Sequence, residues 1–168
     1  SVRSFYKFLV RRGKLEASPA GVVRTPRQDR RLPNALDERQ VADLLAAPPV
    51  DTFAGLRDRA VLETIYSAGL RISELVGLNL EDLDEYGGVI RVRGKGRKER
   101  LAPLGSPAVQ AIDAYLAARF HQFGRTRSGA LFVNRFGTRM SDRSIRRRLD
   151  RHLSAAGIAQ HASPHTLR

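Results

Sequence analysis

Apolar residues recur every three or four positions along most of the chain, which is the period of an α-helix with one buried face. The pattern predicts helices over residues 1–12, 37–47, 55–67, 71–78 and 142–155, and a further helix that begins at Ser106. Asp37 and Gln40 form a capping-box pattern, and Ser106 followed by a proline has the pattern of an N-cap residue before the first helical position. In helix 55–67 we expect Ile65 and Tyr66 to face the core.

Two segments depart from the helical period. Residues 89–93 alternate apolar and basic side chains, and residues 99–104 return after a basic turn that is bracketed by glycines. This pattern predicts a β-hairpin with Lys95 at its tip, whereas the polar residues 81–86 before it predict a turn. The expected fold class is mainly α with a small antiparallel β-hairpin or sheet, an α+β arrangement.

Two predicted helices meet at Gly69, a residue type that often ends a helix in the left-handed conformation. Ile72 and Leu75 lie at helical spacing in the second helix and should face the core. Arg71 therefore opens that helix at a rigid junction, with Glu74 on the same face. Taken alone, the pattern indicates an exposed arginine that is paired with a glutamate.

The chain divides into three predicted parts. Residues 1–23 carry one helix with a rich apolar face, which is typical of the last helix of a larger domain. Residues 24–33 are polar, basic and flanked by prolines, as interdomain linkers are. Residues 34–168 are long enough to form a domain with its own core.

The net charge of the chain indicates the kind of partner that it binds. The 30 Lys and Arg residues exceed the 17 Asp and Glu residues, which gives a net charge of +13. Such an excess indicates a polyanionic partner, and arginine suits bidentate contacts with phosphate. A basic protein on a membrane surface is one alternative, and a codon bias towards arginine is another. Codon bias explains arginine over lysine but not the imbalance between basic and acidic residues.

Composition excludes several kinds of chemistry. The sequence contains no cysteine, so it can form neither disulfides nor thiolate metal sites. Its four histidines lack metal-binding spacing, and no apolar run is long enough to span a membrane. We therefore expect no metal, no membrane partner and a cytoplasmic location.

Four basic residues could form one site. Arg71 opens a helix, Lys95 lies on the hairpin tip, and His165 and Arg168 are three residues apart at a predicted helix start after Pro164. Arginine can hold phosphate oxygens, lysine can donate a proton to a leaving oxygen, and histidine can transfer one. Each feature is ordinary alone, but together they predict a site for a phosphate whose charge grows during reaction.

The segments that carry these residues resemble tyrosine site-specific recombinases, and most closely the Xer-type branch that resolves chromosome dimers. They are residues 68–75 (AGLRISEL), 92–104 (VRGKGRKERLAPL) and 163–168 (SPHTLR). The order of the motifs and the 24-residue step from Arg71 to Lys95 also agree. The resemblance extends from Leu32 to Arg168, and residues 1–23 resemble the end of the family's core-binding domain.

The resemblance implies roles for these residues. Arg71 and Arg168 would hold the scissile phosphate, Glu74 would order Arg71, Lys95 would protonate the 5′-hydroxyl leaving group, and His165 would assist the nucleophile. The implied reaction joins DNA to a tyrosine through a 3′-phosphotyrosyl bond and then rejoins the strand. It needs no cofactor, since covalent capture conserves the bond energy. Its partners would be double-stranded DNA and a homo- or heterotetramer of recombinases.

Further basic residues are candidates for contact with the DNA backbone. Seven arginines surround helix 142–155, and such a group of like charges favours a bound anion over a merely solvated face. They are Arg135, Arg139, Arg143, Arg146, Arg147, Arg148 and Arg151. The DNA-binding prediction rests on Arg139, Arg143, Arg146 and Arg147 of this group, together with Arg93, Arg97, Lys98 and Arg100 of the hairpin.

The family's nucleophilic tyrosine follows the HxxR motif, whereas the four tyrosines of this sequence, Tyr6, Tyr66, Tyr86 and Tyr115, all precede it. We therefore expect a recombinase fragment that is inactive alone. Two alternatives stay open: a non-catalytic DNA-binding or regulatory recombinase fragment, and a basic RNA- or phosphate-binding protein unrelated to recombination.

This expectation predicts that the polypeptide forms no covalent adduct with DNA. The measurement is a denaturing gel of the protein after incubation with a nicked suicide duplex that traps phosphotyrosyl intermediates. A DNA-linked band that resists denaturation would show that one of the four tyrosines is a nucleophile after all.

Overall fold

A computed structural model describes residues 2–23, 36–84, 87–94, 99–124 and 128–158. The chain forms two compact units, which comprise residues 1–32 and 33–168. In the first unit, helix α1 (Val2–Arg11) is followed by Gly13 at φ 67° and a short 3-10 turn at Pro19–Gly21. The apolar face of α1 is exposed, with Phe5 57% accessible, because no described residue of this unit covers it.

The second unit contains five helices and three strands in its described part. The helices are α2 (Glu38–Ala46), α3 (Phe53–Ala68), α4 (Ile72–Gly77), α5 (Ser106–Phe123) and α6 (Asp142–Ala155). The strands are β1 (Leu83–Asp84), β2 (Val89–Arg93) and β3 (Glu99–Pro103), and a 3-10 turn, Leu80–Asp82, precedes β1. The predicted class, mainly α with a small antiparallel sheet, is confirmed.

The helix boundaries follow local capping chemistry. Helix α2 begins after Asp37, whose carboxylate accepts a hydrogen bond from the Gln40 backbone while the Gln40 side chain accepts one from the Asp37 backbone. Helix α5 differs slightly from expectation, because Gly105 rather than Ser106 is its N-cap. The Gly105 N–H donates to Ser67 Oγ at the end of α3 (2.6 Å), and this bond joins the two helices.

The sheet is antiparallel with the order β1-β2-β3. Strands β2 and β3 form the predicted hairpin, with Ile90 opposite Ala102 and Arg93 opposite Glu99. Strand β1 was not predicted, because its two residues are too few to show an alternating pattern. It pairs with β2 through Leu83 opposite Ile90, within the segment that was predicted to be a turn.

Helix α3 is buried on most of its surface and packs against α5. Tyr115 of α5 is fully buried, and its ring stacks on Phe132 with the ring centroids 5.7 Å apart. Its hydroxyl donates to the Leu131 carbonyl (3.1 Å) and accepts from the Val133 backbone N–H (3.0 Å). The Tyr115 phenol therefore fixes residues 131–133 to α5.

The inward orientation predicted for Tyr66 is wrong. Its neighbour Ile65 is 1% accessible, whereas Tyr66 is 49% accessible. Successive residues of a helix point about 100° apart, so the side chain beside a core residue can lie on the remaining exposed strip. The spacing of apolar residues in α3 predicted which side of the helix faces the core. It did not define how wide the exposed side of the helix is.

We predict that Tyr115→Phe lowers the free energy of unfolding by about 1–2 kcal/mol, because it leaves the buried Val133 N–H without a partner. Urea unfolding followed by circular dichroism measures the change. Tyr66→Phe removes the same hydroxyl from an exposed position and should change stability by less than about 0.5 kcal/mol. Equal effects of the two substitutions would contradict this role for Tyr115.

Candidate functional site

A left-handed glycine places Arg71. Helix α3 ends at Gly69 (φ 57°, ψ 40°), and the N–H groups of Gly69 and Leu70 both donate to the Ile65 carbonyl. Leu70 is fully buried, which anchors the connection between the helices. Arg71 is then extended (φ −74°, ψ 151°) and forms the N-cap of α4. The junction that the sequence predicted is therefore present, with Arg71 at its turning point.

Glu74 holds Arg71 at two points. Its Oε2 accepts the Arg71 backbone N–H (3.0 Å), and its Oε1 accepts Nη1 of the Arg71 guanidinium (3.0 Å). The glutamate side chain is only 7% accessible, whereas that of Arg71 is 55% accessible. A carboxylate of low exposure thus orients a guanidinium whose side chain is more than half exposed.

A second arginine shares this carboxylate. Arg100 of β3 donates through Nη2 to Glu74 Oε2 over 3.3 Å. Burial raises the pKa of the Glu74 carboxyl, but the hydrogen bonds from Arg71 and the charges of Arg100 and Arg71 outweigh it and lower the pKa overall. Glu74 is therefore ionised at neutral pH, and the three side chains together carry one net positive charge.

Several candidate residues lie outside the described part of the chain. These are Lys95, Arg97, Lys98, His165 and Arg168. Strands β2 and β3 flank the segment 95–98, and Arg100 links β3 to the carboxylate that holds Arg71. The strand that follows Lys95 in the chain is thus in contact with the Arg71 junction.

Arg93 is surrounded by acidic side chains. Its guanidinium contacts the buried Asp82 (Nη2 to Oδ1, 2.8 Å) and Glu99 (Nε to Oε1, 3.1 Å). Asp82 also accepts the Asn79 backbone N–H (2.9 Å), so this pairing ties the hairpin to the turn after α4. The DNA contact predicted for Arg93 would come from a guanidinium that already has carboxylate partners.

Arg139 caps the other end of α4. Its Nη1 donates to the carbonyls of Val76 (2.6 Å) and Leu78 (2.9 Å), and its Nη2 donates to Asn79 Oδ1 (2.5 Å). A cation at a helix C-terminus satisfies carbonyls that have no partner within the helix and stabilises the helix dipole. Arg139 therefore stabilises the helix that Arg71 begins, and its DNA contact stays a prediction.

The candidate arginines of α6 are exposed. Ser141 caps this helix by accepting the Ser144 N–H, and Arg146 forms a loose ion pair with Asp142 over 3.5 Å. Arg143 and Arg147 form no ion pair or hydrogen bond with any residue in the described ranges. Their spacing of four residues puts them on one face, so their charges are available to a polyanion.

Arg148 has a different environment from its neighbours on α6. Its Nη1 donates to Oδ2 of the buried Asp58 (2.9 Å), and its side chain is 24% accessible. The expectation that Arg148 belongs to an unpaired basic face is therefore wrong, because the side chain turns towards α3. Its partner is 90 positions away in the chain, beyond the reach of helical periodicity.

Asp58 is the centre of a buried charge cluster that the sequence did not reveal. Its Oδ1 accepts two hydrogen bonds from Arg57, and its Oδ2 accepts from Arg148 and lies 3.1 Å from His152 Nε2. Arg57 also donates to the Val133 carbonyl and is fully buried. Adjacent Arg and Asp residues within a helix that carries core residues were a signal, but their partners could not be inferred.

No group of three His, Asp or Glu side chains in the described ranges is arranged to hold a metal ion. Among the same residues, no helix is both long enough and apolar enough to cross a bilayer.

Comparisons with known proteins place these features in a family. Residues 34–168 match the phage integrase family. The chain is 47% identical over 168 residues to tyrosine recombinase XerC of Pelobacter propionicus and 45% identical over 172 residues to that of Myxococcus xanthus. Each match covers the whole of this chain and 55% or 57% of the relative, respectively.

Solved structures of recombinases and integrases also match the fold of this chain. The crystal structure of XerA recombinase matches with a TM-score of 0.73 and 29% identity, over 83% of this chain and 49% of that chain. A lambda integrase dimer bound to a COC′ core site matches with a TM-score of 0.73 at 14% identity, over 99% of this chain and 47% of that chain, and shows the shared fold alone. The chain belongs to the phage integrase family and spans a little over half the length of the curated relatives it matches.

We predict that Asp58→Asn lowers the free energy of unfolding at pH 7 by about 3–5 kcal/mol, because it leaves the buried Arg57 and the partly buried Arg148 without a counter-charge. Burial raises the pKa of Asp58, but the hydrogen bond to His152 and the arginine charges outweigh it and lower the pKa below the usual 3.8. The contribution of ionised Asp58 is therefore full above pH 3.8 and is lost as the pH falls through the lowered pKa.

Urea unfolding from pH 7 to pH 3 measures this difference. The gap between the unmodified chain and Asp58→Asn should narrow at the acidic end. Asp113→Asn on the exposed side of α5 serves as the control and should leave stability nearly unchanged. A gap that is constant with pH would show that Asp58 does not act through its charge.

Proposed function

We propose that this chain supplies the phosphate-holding part of a DNA strand-exchange enzyme. The observation that carries the proposal is the exposed guanidinium of Arg71, fixed at the α3–α4 junction by the buried Glu74. A guanidinium held in one orientation can donate to two phosphate oxygens without first losing its own freedom. Membership of the phage integrase family supports the assignment of this phosphate to DNA.

In the proposed reaction, a tyrosine attacks the DNA phosphodiester and forms a 3′-phosphotyrosyl bond while the 5′-oxygen leaves. Arg71 and Arg168 hold the phosphate and stabilise the charge that develops on its oxygens. Lys95 protonates the leaving 5′-oxygen, and His165 assists proton transfer at the nucleophile. The later attack of a 5′-hydroxyl on the phosphotyrosyl bond rejoins the strand and releases the tyrosine.

Helix α6 provides the proposed DNA-binding surface. Arg143 and Arg147 have no partner among the described residues, and a net charge of +13 favours association with a polyanion. Arg146 adds to this surface, whereas Arg148 is occupied by Asp58. The hairpin arginines and lysine, Arg93, Arg97, Lys98 and Arg100, extend the proposed contact with the DNA backbone.

The wider setting is also proposed. Residues 1–23 form the end of a core-binding domain, residues 24–33 a linker, and residues 34–168 part of a catalytic domain. The relatives named tyrosine recombinase XerC support a cytoplasmic role in chromosome dimer resolution, and hence in chromosome partition and cell division. Lambda integrase has been solved as a tetramer bound to a Holliday junction, which supports assembly of the whole protein as a recombinase tetramer.

A second candidate is a DNA-binding module without catalysis of its own. The observation that favours it concerns Tyr115, which is the tyrosine nearest to His165 in this sequence. Tyr115 is buried, and its hydroxyl is occupied by backbone partners. A suicide duplex separates the two candidates when it is offered to the full-length protein: a covalent adduct supports the strand-exchange enzyme, whereas DNA binding without an adduct supports the binding module.

We predict that Arg143→Gln with Arg147→Gln weakens binding to double-stranded DNA and lowers the slope of log affinity against log salt by about 2, since each phosphate contact contributes about 0.9. Fluorescence anisotropy of a labelled duplex at several salt concentrations measures both quantities. Arg148 stays unchanged in this design because its loss would also break the Asp58 cluster.

The matched control is Arg39→Gln on the exposed surface of α2, which removes one positive charge away from α6. It should leave the slope unchanged, whereas Arg147→Gln alone should lower it by about 1. Equal slopes for Arg39→Gln and Arg147→Gln would mean that net charge, rather than the α6 face, determines binding.

A further inference from the structure

The carboxylate of Glu74 joins three segments that are separate in the chain. It lies within α4, it accepts from the backbone and side chain of Arg71 at the helix start, and it accepts from Arg100 on β3. Within the described ranges, only these two arginines contact it. Arg100 was predicted from the sequence to contact the DNA backbone, and its Glu74 contact indicates another role.

We propose that Arg100 is a positioning residue, which orients the phosphate-holding Arg71 through the carboxylate they share. The inference rests on the proposed function, since it names a further residue that serves the same site.

The hydrogen-bond geometry supports the proposal. Oε1 of Glu74 is used by the Arg71 side chain, and Oε2 is shared by the Arg71 backbone and Arg100. A carboxylate that is held on both oxygens has little freedom to rotate. Its fixed orientation in turn fixes the Arg71 guanidinium, which is hydrogen-bonded to Oε1. Loss of Arg100 would leave one backbone N–H to fix Oε2.

The electrostatics support it as well. The Glu74 side chain is only 7% accessible and needs a compensating charge. A single guanidinium that also binds phosphate would compensate this charge poorly. When a phosphate approaches Arg71, its negative charge competes with Glu74 for that guanidinium. Arg100 neutralises the carboxylate from the other side and so leaves Arg71 available to the anion.

The same contact links the hairpin to the anion site. Arg100 follows the segment 95–98 by two positions, and its strand is paired with β2 over its whole length. Neighbouring arginines of the sheet are placed differently, because Arg91 and Arg93 contact Asp82 rather than Glu74. Among the described hairpin residues, Arg100 is the one whose side chain contacts Glu74. It therefore connects the strand after Lys95 to the Arg71 junction.

A first experiment tests positioning without any ligand. In the full chain, ¹⁵N NMR measures the order of the Arg71 Nε–H group, and ¹³C NMR titration measures the pKa of Glu74. Arg100→Gln should lower that order and raise the Glu74 pKa, because one of the charges that depress it is removed. Arg100→Lys should restore the pKa in part. Arg91→Gln, which removes the same charge from the same sheet without touching Glu74, should change neither quantity.

A second experiment asks whether Arg100 acts through Glu74 or contacts the anion directly. Inorganic phosphate is titrated while the Arg71 Nε–H signal is followed. Arg100→Gln should weaken the phosphate affinity by about 3- to 10-fold. In a Glu74→Gln background the same substitution should have little further effect, since the shared carboxylate is gone. An equal loss in both backgrounds would show that Arg100 affects phosphate binding without Glu74 and would overturn the positioning role.

The two experiments also separate this inference from the proposed function. Unchanged Arg71 order and unchanged Glu74 pKa in Arg100→Gln would overturn the positioning role, whatever the phosphate titration gives. If both change as expected but phosphate does not perturb Arg71 in the unmodified chain, the positioning role is supported and the proposed phosphate site is contradicted.

Discussion

The rest of the site depends on the hydrogen bonds and ion pairs that the Glu74 carboxylate forms with Arg71 and Arg100. This carboxylate closes the first turn of α4 by accepting the Arg71 backbone N–H, and in the same geometry it holds the Arg71 guanidinium and receives Arg100 from the sheet. A carboxylate with so little exposure is most stable when it is paired and hydrogen-bonded, so the helix start, the arginines and the strand must be correctly placed together. The left-handed Gly69 makes this possible because it turns the chain sharply enough for Arg71 to begin a new helix.

The arginines that the structure describes lie in two kinds of environment. Some arginines stabilise the fold: Arg57 and Arg148 neutralise the buried Asp58, while Arg139 caps the carbonyls at the end of α4. Others, such as Arg143 and Arg147, face solvent without a partner among the described residues. Only this second group could contact the proposed DNA partner without breaking an existing contact. Net charge alone therefore overstates the number of residues that the proposed interface could use.

Local chemistry explains which features could be predicted from the sequence. The capping box of Asp37, the left-handed turn at Gly69 and the β2–β3 hairpin each depend on residues within a few positions of one another. The pairing of Arg71 with Glu74 was predictable for the same reason, since it spans three residues at a helix start. Strand β1 was missed because two residues carry no period, and Tyr66 was misplaced because periodicity does not define the edge of a buried face.

The sequence by itself determined the fold class, the junction at Arg71 and, through three short motifs, the resemblance to tyrosine recombinases. These rest on nearest-neighbour geometry and on spacing, which a linear pattern preserves. Only the tertiary structure decided which arginines are free and which are occupied. Arg148 contacts Asp58 across 90 positions, and Arg100 contacts Glu74 across 26. Helical and strand periods say nothing about such distant partners, because the packing of whole elements brings those charges together.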